Sequence, residues 1–163
     1  MSNHTLRAIS PSDAQWIYEA CQDQQIQYWT TIPKPYLLEH AQAFAAEKVK
    51  EYKIWVIEDK QNNAIGVISI HDVDSDGNAE IGYWVAPWGR GKNAVVNSIA
   101  EVEKFANNQS NIKTIQATIS DLNEASQKVA IKSGLQRVEA SCKMCPAGDQ
   151  ETPSSIYRKV LTI

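Results

Sequence analysis

Residues 86–96, APWGRGKNAVV, combine glycines and two cations in a loop that runs into an amphipathic stretch. A basic, glycine-containing loop ahead of a helix N-terminus suits an anion. Free backbone N–H groups point outward there, the helix dipole favours negative charge, and Arg90 and Lys92 add to it. The same loop equally suits a simple chain reversal, and it is not a P-loop, because G-x-x-x-x-G-K-[ST] is not present. A second stretch, DVDSDGNAE from Asp72 to Glu80, sets Asp72, Asp74, Asp76 and Gly77 at the spacing of the first half of a calcium loop. Its twelfth position is Tyr83, which has no carboxylate to give, and its flanks GVISI and EIGYWV read as strands where helices are required. The stretch is therefore read as the polar tip of a hairpin ending in Asp76-Gly77-Asn78. Cys142 and Cys145 form a C-x-x-C, but a structural zinc needs four ligands and His4, His40 and His71 are all distant in sequence. They are read as two ordinary cysteines, and no metal is expected.

The elements that must position these residues follow from periodicity and punctuation. TLRAIS reads as a strand, and Ser10-Pro11 followed by Asp13 as a helix start with the Ser10 hydroxyl as cap. That helix carries Trp16, Ile17, Ala20 and Cys21. WTTIPKP is a loop, and YLLEHAQAFAAEKVKEY a long helical stretch. KIWVIED and AIGVISIHD are strands joined by the polar turn KQNN, and AEIGYWVA is the fourth strand. Residues 93–107 place Val95, Ile99, Val102 and Ala106 on one helical face. IKTIQATIS is a strand, NEASQKVAIKSG a helix closed by Gly134, and two strands follow around LQRVEASCKM and SSIYRKVLTI. The order β-α-α-β-β-β-α-β-α-β-β, without repeats or linkers, makes residues 1–163 one α/β or α+β domain with a mixed sheet.

The bulk composition excludes several classes. An apolar fraction of 43% and a charged fraction of 21% are those of a globular chain. A net charge of −3 gives no global basic field, so no nucleic acid partner is expected. No apolar run approaches the ~20 residues of a membrane span, so no membrane partner is expected. The N-terminus lacks a signal-peptide pattern, and three cysteines suit a reducing, cytoplasmic setting.

Taken together, these segments resemble the GNAT N-acetyltransferase superfamily over about residues 5–160. The family's acyl-CoA signature, Arg/Gln-x-x-Gly-x-Gly/Ala between strand four and the next helix, corresponds to RGKNAV, Arg90 to Val95. Asn93 stands where Gly is usual, and Val95 where Gly or Ala is usual. NEASQKVAIKSGL is similar to the family's N-x-x-S-x-x-V-x-x-K-x-G-F helix at Asn123, Ser126, Val129, Lys132 and Gly134. YWTTIPKPYLLEHAQAF and AEIGYWVAPW resemble the branch that acetylates ribosomal-protein N-termini.

The resemblance implies a central, mixed, mostly antiparallel twisted sheet of about seven strands flanked by about four helices. It implies acetyl-CoA as cosubstrate, held by the backbone of Arg90, Gly91, Lys92, Asn93, Ala94 and Val95, by Asn123, and by backbone groups near Val85 where strands four and five part. It also allows a homodimer. Glu80, on the strand face of Gly82 and Trp84, matches the family's strand-four base, or else is an exposed strand carboxylate. Ser126 lies where the ribosomal branch carries a hydroxyl for the leaving thiolate, or else bonds its own helix. The Tyr that many members use four residues before the helix-ending Gly is Ala130 here. Lys132 is either a phosphate contact or a solvated lysine. Trp29, Tyr36 and Trp84 are walls for the acceptor or packing aromatics. The implied reaction is acetyl transfer to a primary amine, foremost the α-amine of a peptide or protein. The alternatives are a small-molecule amine (polyamine, amino acid or antibiotic) or acyl-CoA binding without turnover.

Overall fold

The computed structural model describes residues 2–162. Its frame is a seven-stranded sheet in the order β1-β2-β3-β4-β5-β7-β6. The strands are β1 (Thr5–Ala8), β2 (Lys53–Glu58), β3 (Ala64–Val73), β4 (Asn78–Val85), β5 (Thr114–Ser120), β6 (Gln136–Ala147) and β7 (Gln150–Val160). Every neighbouring pair is antiparallel except β4 and β5, which run parallel. The helices are α1 (Ala14–Ala20), α2 (Gln24–Trp29), α3 (Leu38–Ala45), α4 (Ala94–Asn107) and α5 (Glu124–Lys132). No described helix is long and apolar enough to cross a membrane.

The sheet is covered on both faces, which is why IWVI of β2 and IGVISI of β3 are almost continuously apolar. One face carries the larger core, where Ile57, Ile68, Ile70, Ile81 and Ile115 meet Val95, Ile99 and Val102 of α4 and Ala130 of α5. The other carries a smaller core, where Ile54, Val56 and Val67 meet Ile17 of α1, Ile26 of α2 and Ala41 of α3. Tyr36 belongs to this second core and is buried.

Two differences from the sequence reading concern helices. Among the described residues there are five rather than four, because Asp23 starts a separate helix: its Oδ2 accepts the Ile26 N–H at 3.0 Å. The stretch expected to be helical from Tyr36 to Tyr52 is helical only over α3. Past Ala45 it has little apolar surface to bury, and Glu47 turns the chain at φ 56°. The start of α1 also differs in its capping group. The Ser10 hydroxyl pairs with Ser12 Oγ, and the Asp13 carboxylate takes the Ser10 N–H at 2.8 Å instead. Cys142 and Cys145 lie within β6, whose register against β7 shifts between Ala140 and Met144. The hairpin tip formed as read. Asp74 Oδ1 accepts the N–H groups of Asp76 and Asn78, and Gly77 takes φ 85°.

Asp13 ties β1 to α1. Its buried carboxylate receives Arg7 on both oxygens at 2.7 and 2.9 Å, and Trp16 Nε1 at 2.8 Å. Burial opposes the charge, but Arg7, Trp16 and the Ser10 amide outweigh it and hold the carboxyl below its ordinary 3.8. A depressed folded value means stability that is present above pH 3.8 and is lost as pH falls below it. Asp13→Asn is expected to lower unfolding free energy at neutral pH by about 3 kcal/mol, and to flatten the loss of stability below pH 3.8, both read by urea titration. Gly66→Ala is expected to cost about 2 kcal/mol, because the new Cβ would lie 2.6 Å from the Trp84 carbonyl oxygen.

Candidate active site

The site begins where the parallel pair ends. β4 and β5 are registered only at Asn78–Thr114, Ala79–Ile115 and Glu80–Gln116, and Ile81 to Val85 have no partner on β5. A cleft of about 980 Å³ occupies the gap. Glu80 stands at its apex, half-buried. Its Oε1 accepts the Thr118 N–H and its Oε2 accepts Gln116 Nε2, both at 2.9 Å. Gln116 is fixed in turn by Arg158, which donates to its Oε1 at 2.9 and 2.7 Å. The Glu80 side chain thus replaces the backbone acceptor that a continued β4 would have offered to Thr118.

At the far end of β4 the chain makes a short turn, Pro87–Gly89, and reaches α4 through Gly91 at φ 80° and Asn93 at φ 58°. Asparagine accepts this left-handed position more readily than most residues, so the loop keeps its shape without the family's glycine. A Cβ on Gly91 would meet nothing within 4 Å, so the loop is open on that side. The Asn93 side chain does not cap α4; its Oδ1 accepts Lys132 Nζ at 2.7 Å. The first-turn amides of Ala94, Val95 and Val96 therefore lack both intrahelical partners and a side-chain cap. The bulk of Val95 is absorbed by the main core, where it is 9% exposed. Lys92 is exposed beside the loop. Arg90 is engaged differently from the sequence reading. Its guanidinium pairs with Asp23, 2.5 Å away at the start of α2, and lowers the Asp23 pKa.

The two faces of β4 carry different chemistry. On the α5 side, Tyr83 Oη lies 2.7 Å from Ser126 Oγ. Burial pushes the Tyr83 phenol up, while its bond to Ser126 acts the other way more weakly, so the hydroxyl stays protonated. Asn123 caps α5 by accepting the Ser126 N–H at 3.2 Å. Ala130 is fully buried in the core. The phenol missing at Ala130 is thus matched by one arriving from β4.

On the other face stand Glu80, Gly82 and Trp84, with Trp29, Ile32 and Phe44 lining the same end of the cleft. Trp84 packs on Trp16 with ring centroids 5.7 Å apart. Tyr36, read as a possible wall, does not line the cleft. This face also holds a pair that the sequence did not suggest. His71 Nδ1 lies 2.7 and 2.8 Å from the two carboxylate oxygens of Glu51. Its ring covers Gly82 so closely that a Cβ there would lie 2.1 Å from Nε2. A glycine inside a strand marks close approach by another group, and Gly82 was the signal available. Tyr83 could have been found by strand alternation alone, as the residue opposite in facing to Gly82.

Among the described residues, no group of three or more His, Cys, Asp or Glu side chains could hold a metal. Residues 3–136 match the family described as Acetyltransferase (GNAT) domain. No curated protein matches by sequence. Among solved structures, the chain is similar to RimL, a ribosomal L7/L12 alpha-N-protein acetyltransferase in complex with coenzyme A, with a TM-score of 0.84 and 16% identity over 99% of this chain and 96% of that one. It is similar to the Microcin C7 self immunity acetyltransferase MccE in complex with acetyl-CoA and AMP, with a TM-score of 0.83 and 21% identity over 98% and 93%. A third is spermidine N-acetyltransferase from Vibrio cholerae in complex with CoA and spermine, with a TM-score of 0.83 and 16% identity over 99% and 97%. At these identities the likeness shows a shared fold, and the family rests on the sequence match, which covers most of the chain. The chain belongs to the acetyltransferase (GNAT) family.

Proposed function

We propose that this protein is an acetyl-CoA-dependent N-acetyltransferase whose acceptor is the α-amine of a peptide or protein N-terminus. The observation that carries the reading is the parted strand. On the side away from β3, Ile81 to Val85 offer backbone groups free of β5, between an open, uncapped helix N-terminus at one end and two chemically different faces at the other. The residues fit a phosphate-bearing thioester. The amides of Gly91 to Val96 and the cations Lys92 and Lys132 suit a pyrophosphate. The free edge of β4 suits the amides of a pantetheine arm, with Asn123 beside it. Bound there, acetyl-CoA supplies an acyl group activated as a thioester.

The chain's own groups would do the rest. Backbone groups near Val85 orient the acyl oxygen, and the Tyr83–Ser126 hydroxyl pair gives a proton to the departing sulfur. Glu80 keeps lone pairs beyond the two that β5 uses, so it can receive an N–H of the acceptor and hold the nitrogen in place. Trp29 and Trp84 wall the approach.

The acceptor class follows from how the carboxylates near the cleft are used. Glu51 serves His71, Asp23 serves Arg90, and Glu80 braces β5. A polyamine would call for several uncommitted carboxylates in a row, whereas one amine flanked by apolar or peptide groups suits the aromatic lining. A cytoplasmic setting is supported by Cys21, Cys142 and Cys145, all free thiols.

The test is release of CoA thiol from acetyl-CoA with peptides bearing N-terminal Ser or Ala, set against spermidine and free amino acids. Peptides are expected to be turned over best; preference for spermidine would move the acceptor class, and no thiol release with any amine would remove the enzymatic reading. With the preferred acceptor, Ser126→Ala and Tyr83→Phe are each expected to lower kcat by about tenfold or more. The KM for acetyl-CoA should stay within about twofold. A raised KM at constant kcat would make the hydroxyl pair a binding element instead.

A further inference from the structure

We propose that His71, oriented by Glu51, takes the proton from the acceptor amine, and that Glu80 positions the amine without removing that proton. The inference rests on the acetyltransferase reading and assigns the acid–base work within it. His71 lies in β3 where the register against β4 breaks between Ile70 and Asp72. Such an irregularity re-aims a side chain, and here the imidazole lies across β4. Among the described residues its hydrogen bonds all run through Nδ1, to Glu51 and, at 3.5 Å, to Ser69 Oγ. With a carboxylate accepting the Nδ1 proton, the neutral ring keeps its lone pair on Nε2.

That Nε2 is held over Gly82, where no other residue would leave it room. Gly82 belongs to the part of β4 that has left β5, between Glu80 and Trp84 on the acceptor-facing side. The next residue, Tyr83, sends its hydroxyl to Ser126 on the opposite face. A proton acceptor held over Gly82 and a proton donor on Tyr83 therefore flank adjacent positions of the part of β4 that has left β5, on opposite faces. Transfer of an acyl group from sulfur to nitrogen needs this separation. Glu80 is less suited to be the acceptor, since both its oxygens already receive hydrogen bonds from β5. His71 remains 47% exposed, open enough to exchange its proton with solvent.

The step balances as follows. As the amine nitrogen bonds to the acetyl carbon, its proton passes to His71 Nε2, and Glu51 counters the imidazolium. The C–S bond breaks with its electron pair going to sulfur, which takes a proton from the Tyr83–Ser126 pair. Solvent then removes the proton from His71 and returns one to the hydroxyls. The charged groups facing the imidazole are Glu51 ahead of β2, Glu80 on β4 and Lys143 on β6. Glu51 acts most strongly and Glu80 in the same sense, while burial and Lys143 oppose them. The net effect raises His71 above its ordinary 6.5.

The test is kcat/KM against pH, from 5.5 to 9, for wild type, His71→Gln, His71→Ala and Glu51→Gln with a serine-N-terminal peptide. Wild type is expected to show an acid limb above pH 6.5, matching the midpoint of the His71 imidazole followed by NMR. Glu51→Gln should move that limb to lower pH, which ionisation of the amine itself would not do. His71→Gln should lose about 100-fold in kcat with its KM for acetyl-CoA unchanged. Added imidazole should accelerate His71→Ala and not wild type. If His71→Gln stays within about threefold of wild type and keeps the acid limb, or if Glu51→Gln leaves the limb in place, the assignment to His71 is overturned. The acetyltransferase reading would survive that result. It falls separately if wild type neither binds CoA nor releases it with any amine.

Discussion

The amide of Thr118 sets the constraint on which the site depends. β5 presents this N–H toward β4, but β4 has already turned away, and a buried donor left without an acceptor costs about 1–3 kcal/mol. The Glu80 carboxylate supplies that acceptor while its second oxygen takes Gln116. The sheet can therefore open by one side chain's width while the Thr118 amide keeps an acceptor. Arg158 reaches across from β7 to hold Gln116, so the brace extends over three strands. A glutamine at position 80 would still accept from Thr118, but its amide nitrogen would face the Gln116 nitrogen, donor against donor. Identity at this position is thus constrained by the shape of the cleft as well as by the chemistry within it.

Opening the sheet at Glu80 sorts charge along the cleft. The loop end carries Lys92, Lys132 and uncapped amides, while the apex carries Glu80, Glu51 and the imidazole of His71. A chain with net charge −3 can hold a polyanion at one end of such a cleft because the field that matters is local. Arg90 adds less to that end than its position suggests. Its pairing with Asp23 instead joins the loop before α4 to the start of α2, the helix that ends at Trp29.

Features set by local chemistry were legible in the sequence. The hairpin at Asp76-Gly77 and the apolar stripe of α4 each depend on residues within a few positions. What escaped depends on partners far along the chain. Arg90 is claimed by a residue 67 positions away, and His71 by one 20 positions away. No motif marks either pairing. Tyr36 could not be placed because an aromatic beside prolines is compatible with a wall or a core, and only the packing of α1–α3 decides. The helix from Gln24 to Trp29 was not anticipated because Asp23 looks like one more polar surface residue until its carboxylate is seen on the Ile26 amide. The phenol facing Ser126 was sought in α5, at Ala130, and comes instead from the strand opposite.

In the proposed function the β5-facing edge of Ile81 to Val85 and the uncapped start of α4 together hold the acyl-CoA. Amide hydrogen exchange with and without saturating CoA tests this most directly. Slowed exchange is expected at Ile81 to Val85 and at Ala94 to Val96, with the remainder of β5 and β7 little changed. Binding of CoA that leaves both segments exchanging as in the free protein, or that protects a different surface, would contradict it.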